Sequence, residues 1–412
     1  MNNQEKAITL EPDLGSFTKE ELIRAALQWA GKQGLPVALW RRPFQSEVNL
    51  LLSFEAAKEV TQYDIQELSN GFAFAPFSFG EEKGLFISGD ILLSFDFNET
   101  VFTPLNKERG SEQIQKFKVQ LIEQLEASRT NSEVPLNGGM SLTEPSSPSD
   151  YEHLVERCIE AIQAGTFEKI VPARSKDIAL PENFDLVAFF NGLCQAYQNA
   201  FISYVSIPQA GSWLGATPEV LIEKETQVFR TIALAATQRY NPDASLTDTA
   251  WTQKEIEEQA MVSRYIINCF KKIRLREFSE KGPETVKAGN LLHLKTTFEV
   301  DLQATNFQEL PTVMLELLHP TSAVAGMPKE ETLAFLKVQE KLNRRFYSGF
   351  LGPVNIEDCT HLYVNLRCME LAGSHGRLFA GAGVTAHSRP QKELAETEMK
   401  FNTLLNILNQ SH

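Results

Sequence analysis

The chain has 412 residues, with 42% hydrophobic and 22% charged side chains and a formal net charge of −14 at pH 7. A length of this order allows two or three domains or one large fold, with a core that needs no disulfide or metal staple. The acidic balance disfavours nucleic acid and anionic membranes as partners, because both require basic surface.

No apolar run approaches the ~18 residues of a membrane span. The segment from Met1 to Glu11 is polar and lacks the apolar core of a signal peptide. A cytoplasmic location is therefore expected. The five cysteines, Cys158, Cys194, Cys269, Cys359 and Cys368, are scattered and form no C-x-x-C pair. That pattern argues against a disulfide framework or a zinc site and for small core residues.

In chain order, Thr18-x-x-Glu21 is a capping box, and the spacing of Leu22, Ile23, Ala26 and Leu27 predicts a helix that Gly31 can end. Strand-like runs follow at Val37 to Trp40, Phe72 to Phe79 and Ile91 to Phe97, then a helix over Glu112 to Glu126. Ser128 to Asp150, with Pro135, Gly138, Gly139, Pro145 and Pro148, reads as a linker. Ser149-x-x-Glu152 then reads as the cap of a helix that Gly165 ends. Beyond it, strands and helices alternate irregularly, with hairpins between Ser203 and Arg230, which predicts an α+β architecture rather than a βαβ repeat.

Five later segments could carry chemistry. Glu168-Lys-Ile-Val-Pro-Ala-Arg174 is a short strand whose Lys169, if aimed into a closed site, could serve as a base. Gly215-Ala-Thr-Pro-Glu-Val-Leu221 is a turn leading into a strand and carries Glu219. Thr231-Ile-Ala-Leu-Ala-Ala-Thr237 has small residues that permit close approach of a ligand. Glu255 and Glu258 share one face at the start of a helix, and Glu393, Glu396 and Lys400 share one face of another. Alone, each has an ordinary explanation: a solvated strand end, a turn ligand, tight packing, or acidic residues complementing a helix dipole. Two acidic helix starts that meet, however, would form an oxygen-rich site suited to Mg²⁺, which prefers a few carboxylates with water and substrate oxygens.

Together and in this order the five segments resemble the chorismate-utilising (chorismate-binding) enzyme family, which includes isochorismate, salicylate, anthranilate and aminodeoxychorismate synthases. Further resembling stretches are Leu291-Leu-His-Leu294, Leu318-His-Pro-Thr-Ser-Ala-Val-Ala-Gly326, Arg345-Phe-Tyr-Ser-Gly349, Tyr363-Val-Asn-Leu-Arg367 and Ala380-Gly-Ala-Gly383. The likeness runs from about Tyr151 to Leu405. It implies one large α+β fold with two packed antiparallel β-sheets surrounded by helices. Residues 1–150 would contribute strands and helices to this shared fold, and residues 151–412 would form the chorismate-binding catalytic region.

The resemblance also implies roles. Glu258 and Glu396 would be the Mg²⁺ ligands, with Glu255 and Glu393 nearby. Arg367, the backbone at Gly381 and Gly383, and Lys400 would hold the substrate carboxylates, while Thr237 and His293 would line the pocket. In the water-adding members a lysine at the position of Lys169 is the general base and a glutamate at the position of Glu219 the general acid. Ammonia-using members tend to have Gln in place of Lys169, and aminodeoxychorismate synthases a nucleophilic Lys in place of Ala235. No glutaminase nucleophile turn is present, so no glutaminase subunit is expected.

The branch closest in resemblance is isochorismate synthase, feeding menaquinone or siderophore biosynthesis. Salicylate synthase is the nearest enzymatic alternative, and the apolar Val324 argues against it. A non-catalytic chorismate-binding subunit is the alternative of another class. Three departures stand out: Ala236 where Gly is usual, Gln259 where isochorismate synthases usually have His, and Phe346 where Trp or Leu is common.

Overall fold

The computed structural model describes residues 17–96, 99–106, 111–128, 133–137, 147–240, 246, 249–288 and 291–410. Two nine-stranded sheets dominate. The first runs in the order Thr100–Pro104, Ile91–Phe95, Val48–Leu52, Val37–Arg41, Phe201–Ile207, Gly211–Thr217, Cys368–Ala372, His375–Gly381, Ala173–Ala179. The second runs Ser279–Ala288, Leu291–Asp301, Val228–Arg239, Val220–Glu225, Cys359–Val364, Phe350–Val354, Gly71–Ala75, Gly84–Ser88, Lys58–Val60. Neighbouring strands pair antiparallel throughout both sheets. The first sheet therefore interleaves strands from both ends of the sequence: Val37–Arg41 pairs with Phe201–Ile207 across some 160 positions.

Large apolar side chains from both sheets meet in one layer. Trp40, Phe201, Trp213 and Phe379 of the first sheet pack with Phe72, Phe74, Leu351 and Tyr363 of the second. Phe201 and Tyr363 stack with ring centroids 4.1 Å apart. Phe346 lies in the same layer, stacked on Phe74 at 4.0 Å, so an aromatic ring fills that place as a Trp would. The outer face of the first sheet is covered by the helices Lys19–Gln33, Ser111–Ser128, Leu186–Ala196 and Pro390–Gln410. The helices Gln253–Lys272 and Leu310–Leu318 cover that of the second. Buried on both faces, central strands are apolar at consecutive positions, as in Gly71–Ala75, instead of alternating.

Local signals differ from expectation in a few places. The first helix runs past Gly31 and ends at Gln33, where Gly34 takes the left-handed conformation at φ 64° that glycine adopts without strain. The helix Pro148–Gln163 is capped by Ser147, not Ser149: Ser147 accepts from the Asp150 N–H, and Pro148 fills the first position, where no N–H is needed. Glu168 to Arg174 is not one strand. Lys169–Ile170 pairs with Gly326–Met327, and a separate strand begins at Ala173 after the break at Val171-Pro172. Most of Ser128 to Asp150 lies outside the described residues, but Glu133–Asn137 is not a free linker. Val134 enters the core, and the Glu133 carbonyl accepts from Gln28. All five cysteines are free thiols, three of them buried. No helix among the described residues is long and apolar enough to cross a membrane.

Candidate active site

A cleft of about 390 Å³ gathers residues from every segment singled out above. Its lining includes Lys169, Glu219, Glu255, Glu258, His293, Arg367, Gly381, Gly383, Glu393, Glu396 and Lys400. These come from strand ends, strand breaks and two helix starts that only the tertiary fold brings together. Thr237 lies on the strand Val228–Arg239, but its side chain is outside the described ones.

Glu219 sits between the strands Gly211–Thr217 and Val220–Glu225, where Pro218 cannot continue a ladder. Its backbone is fixed on both sides. The Glu219 N–H donates to Thr217 Oγ1 at 3.3 Å, and its carbonyl accepts from the Val364 N–H at 3.0 Å. Burial pushes the carboxyl up to about 7, against the pull of the Thr321 hydroxyl and of Lys169, Arg367 and Lys400. Desolvation wins because the ionised form would leave water without a hydrogen-bonded cation beside it.

Lys169 follows the buried Phe167, and its strand is held by Gly326–Met327. A Cβ at Gly383 would stand 3.0 Å from Lys169 Cε, so the bare glycine leaves the lysine its path into the cleft. Gly381 serves similarly: a Cβ there would meet the Pro172 carbonyl at 2.9 Å and the Tyr347 hydroxyl at 3.2 Å. The Gly381 carbonyl accepts from Lys400 Nζ at 2.6 Å, and Lys400 also bridges Glu396 at 2.7 Å. Burial lowers the Lys400 ammonium, opposed by Glu396. Burial likewise works to raise Glu396, but Lys400, Arg367 and Lys169 together hold that carboxyl below its ordinary range. Arg367 adopts φ 49°, a strained conformation for a side-chain-bearing residue, which the sheet maintains through the Ala216 N–H donating to its carbonyl.

His293 is buried, and burial lowers its imidazole to about 4, so it is neutral at pH 7. Its Nδ1 lies 2.9 Å from the Ala236 carbonyl, which can only accept; that fixes the proton on Nδ1. Ala236 itself has φ 57°, at a register shift of its strand between Ala235 and Gln238. This is left-handed backbone that glycine adopts freely, which explains why Gly is the commoner residue there. Gln259 points away from the cleft. Its Oε1 accepts from the Ala235 N–H at 3.0 Å, and its Nε2 donates to the Ala233 carbonyl at 3.1 Å and to Thr296 Oγ1 at 2.9 Å. Gln259 thus pins the helix Gln253–Lys272 to the sheet.

Four carboxylates from two helices line the cleft, an all-oxygen set that suits a hard cation. Among the described residues no three carboxylate, histidine or cysteine side chains form a ready cage. Glu255 also caps its own helix, accepting from the Thr252 N–H at 2.7 Å.

Sequence reasoning quoted but gave no role to two residues at the cleft. Tyr347, whose hydroxyl burial pushes up to about 12, lines it as a neutral hydrogen-bond donor. Thr321 donates to Glu219 Oε1 at 3.3 Å. Both lie in the stretches Arg345–Gly349 and Leu318–Gly326, and that was the available signal. His319 in the same stretch is structural: it is buried, lowered to about 3 by burial, and bonded to the Pro76 carbonyl.

Residues 91–409 match the family model described as chorismate binding enzyme. The chain is 29% identical to the isochorismate synthase EntC of Escherichia coli over 262 residues, covering 62% of this chain and 66% of that protein. It is 30% identical to the isochorismate synthase DhbC of Bacillus subtilis over 277 residues, covering 64% and 69%. These matches span about two thirds of each relative's length. In fold it is similar to the menaquinone-specific isochorismate synthase MenF of Escherichia coli, with a TM-score of 0.72, 20% identity, and coverage of 93% of this chain and 91% of that one. It is also similar to anthranilate synthase component I of Streptococcus pneumoniae, with a TM-score of 0.67, 19% identity, and coverage of 90% and 92%. The two packed sheets, the cleft between strand breaks and acidic helix starts, and the match over most of its length agree: the chain belongs to the chorismate binding enzyme family.

Proposed function

We propose that the protein is an isochorismate synthase that converts chorismate to isochorismate in the cleft described above, with Mg²⁺ bound. The observation that carries this reading is the pairing of Lys169 with a Glu219 carboxyl poised near neutrality in one cleft. Lys169 takes a proton from the water that attacks C2 of the ring. Glu219 gives a proton to the C4 hydroxyl, which leaves as water while the ring double bonds shift. One water enters and one leaves, so the reaction is an isomerisation. Returning the lysine's proton to the glutamate resets the pair.

The two side chains act on different parts of the ring, which suits a base and an acid rather than a nucleophile. Ala235, at the position where a nucleophilic lysine would be required, cannot form a covalent adduct. Arg367, Lys400 and the Tyr347 hydroxyl orient the substrate carboxylates and supply the positive field that this acidic chain otherwise lacks. Glu258 and Glu396 would hold Mg²⁺, with Glu255 and Glu393 supporting. When bound, the cation neutralises substrate carboxylate charge and draws electron density from the ring. The neutral His293 lines the pocket without adding charge.

The related anthranilate synthase component I shares only the fold, and Lys169 favours water over ammonia as nucleophile; the chain acts without a glutaminase subunit in this reading. The test is turnover of purified protein with chorismate in chelator, then with Mg²⁺ restored. Activity should vanish and return. Full activity in excess chelator would contradict the metal assignment, and retained activity in Lys169→Ala would contradict the acid–base assignment.

A further inference from the structure

The Glu219 backbone is anchored twice, but among the described residues its side chain has one hydrogen bond, from Thr321. Thr321 is itself rigidly placed. Its carbonyl accepts from the Val324 N–H at 3.1 Å and the Ala325 N–H at 2.9 Å, closing a tight turn. Buried Arg344 then clamps that turn: it donates to the Val324 carbonyl at 2.9 Å and, with its other nitrogen, to the Val171 carbonyl at 2.7 Å. Val171 lies two residues from Lys169. One guanidinium, neutralised by buried Glu340, thus ties the turn that holds the acid to the segment that carries the base.

Behind the Glu219–Thr321 contact lies a small cavity of about 20 Å³, walled mostly by apolar side chains such as Leu221, Ile232, Leu234 and Val262, with Thr231, Tyr265 and Ser322 also in its wall. Of these hydroxyls, Thr231 and Tyr265 donate to the Leu221 and Leu317 carbonyls, and Ser322 makes no hydrogen bond among the described residues, so Thr321 is the one that holds the carboxyl. A carboxyl free to rotate could present either oxygen to the substrate; one held by a hydroxyl cannot. The geometry points to Thr321 as a positioning residue for the acid: its hydroxyl occupies Glu219 Oε1, so that the transferable proton sits on Oε2. This inference rests on the assignment of Glu219 as the general acid.

The hydrogen bond also favours the ionised carboxyl, so its removal leaves Glu219 protonated to higher pH. The other groups facing Glu219 across the cleft are Lys169, Arg367 and Lys400, with Glu396, Glu258, Glu255 and His293 further round the wall. None of them changes when Thr321 is replaced by the isosteric valine.

The experiment compares Thr321→Val and Thr321→Ser with the parent protein in two ways. First, the Glu219 carboxyl is titrated by ¹³C NMR in glutamate-labelled protein, assigned by the signal lost in Glu219→Gln. Second, kcat and KM are measured against pH. Thr321→Val should raise the carboxyl titration by about one pH unit. It should also lower kcat roughly tenfold with KM nearly unchanged, the low end for a misplaced acid. Thr321→Ser, which keeps the hydroxyl, should restore both. A valine variant with unshifted titration and unchanged kcat overturns the inference, as does a serine variant no better than valine. The titration needs no turnover, so it tests the Thr321–Glu219 contact independently of the functional reading, and an unshifted titration alone overturns the inference. Failure of the parent protein to make isochorismate contradicts the functional reading alone.

Discussion

Glu219 carries opposing demands. A carboxyl pushed up to about 7 by burial is a competent acid at neutral pH, yet it is a liability to the fold. Its titration is raised in the folded state, so its contribution to stability is full below the ordinary carboxyl range and is lost as pH rises through about 7. Glu219→Gln should therefore be more thermostable than the parent at pH 8, by up to about 3 kcal/mol, and no more stable at pH 4. The same variant should lose about 10² or more in kcat, as should Lys169→Ala, and the double variant should lose far less than the product of the two. Thermal melts at the two pH values and steady-state rates check these outcomes. Gly383 acts on the base in a similar way. Gly383→Ala would set a methyl 3.0 Å from Lys169 Cε, and the flexible lysine would yield. Melting temperature should barely move, while kcat should fall roughly tenfold or more through displacement of the base.

At the scale of elements, the strand Val228–Arg239 and the helix Gln253–Lys272 form one side of the cleft, and Gln259 couples them. Gln259→Ala would leave the Ala235 N–H and the Ala233 carbonyl buried without this partner. It should cost about 2–4 kcal/mol in denaturant unfolding. Ala236→Gly, which relaxes the left-handed residue next door, should leave stability unchanged or slightly higher, because relief of strain and added unfolded-state entropy oppose each other. Neither outcome was legible beforehand. Glu258 and Gln259 are adjacent in sequence but lie about 100° apart round a helix, so one faces the cleft and the other the sheet. Only packing decides which. The strained backbone at Arg367 was equally hidden, since propensity speaks against a left-handed arginine, whereas at Ala236 the usual Gly of the resembling family was the one hint. Capping boxes and amphipathic helices were readable because their causes are local. The cap at Ser147 was misplaced by two residues because Ser147 and Ser149 flank the same proline.

Across the whole molecule, the site exists because long-range pairing brings distant segments together. Lys169, Glu219, Glu258, His293, Arg367 and Lys400 span more than half of the chain, yet line one cleft. Motif resemblance identified them; composition and periodicity alone did not, since each residue is ordinary in isolation. The order of strands in the two sheets was not readable, because pairings such as Val37–Arg41 with Phe201–Ile207 rest on tertiary packing rather than local signal. The central claim concerns chemistry, and its most direct test is identification of the product formed from chorismate by the purified chain at neutral pH with Mg²⁺. The account predicts isochorismate in equilibrium with chorismate. No conversion, salicylate with stoichiometric pyruvate as the main product, or an aminated product formed at comparable rate from ammonium salts would contradict it.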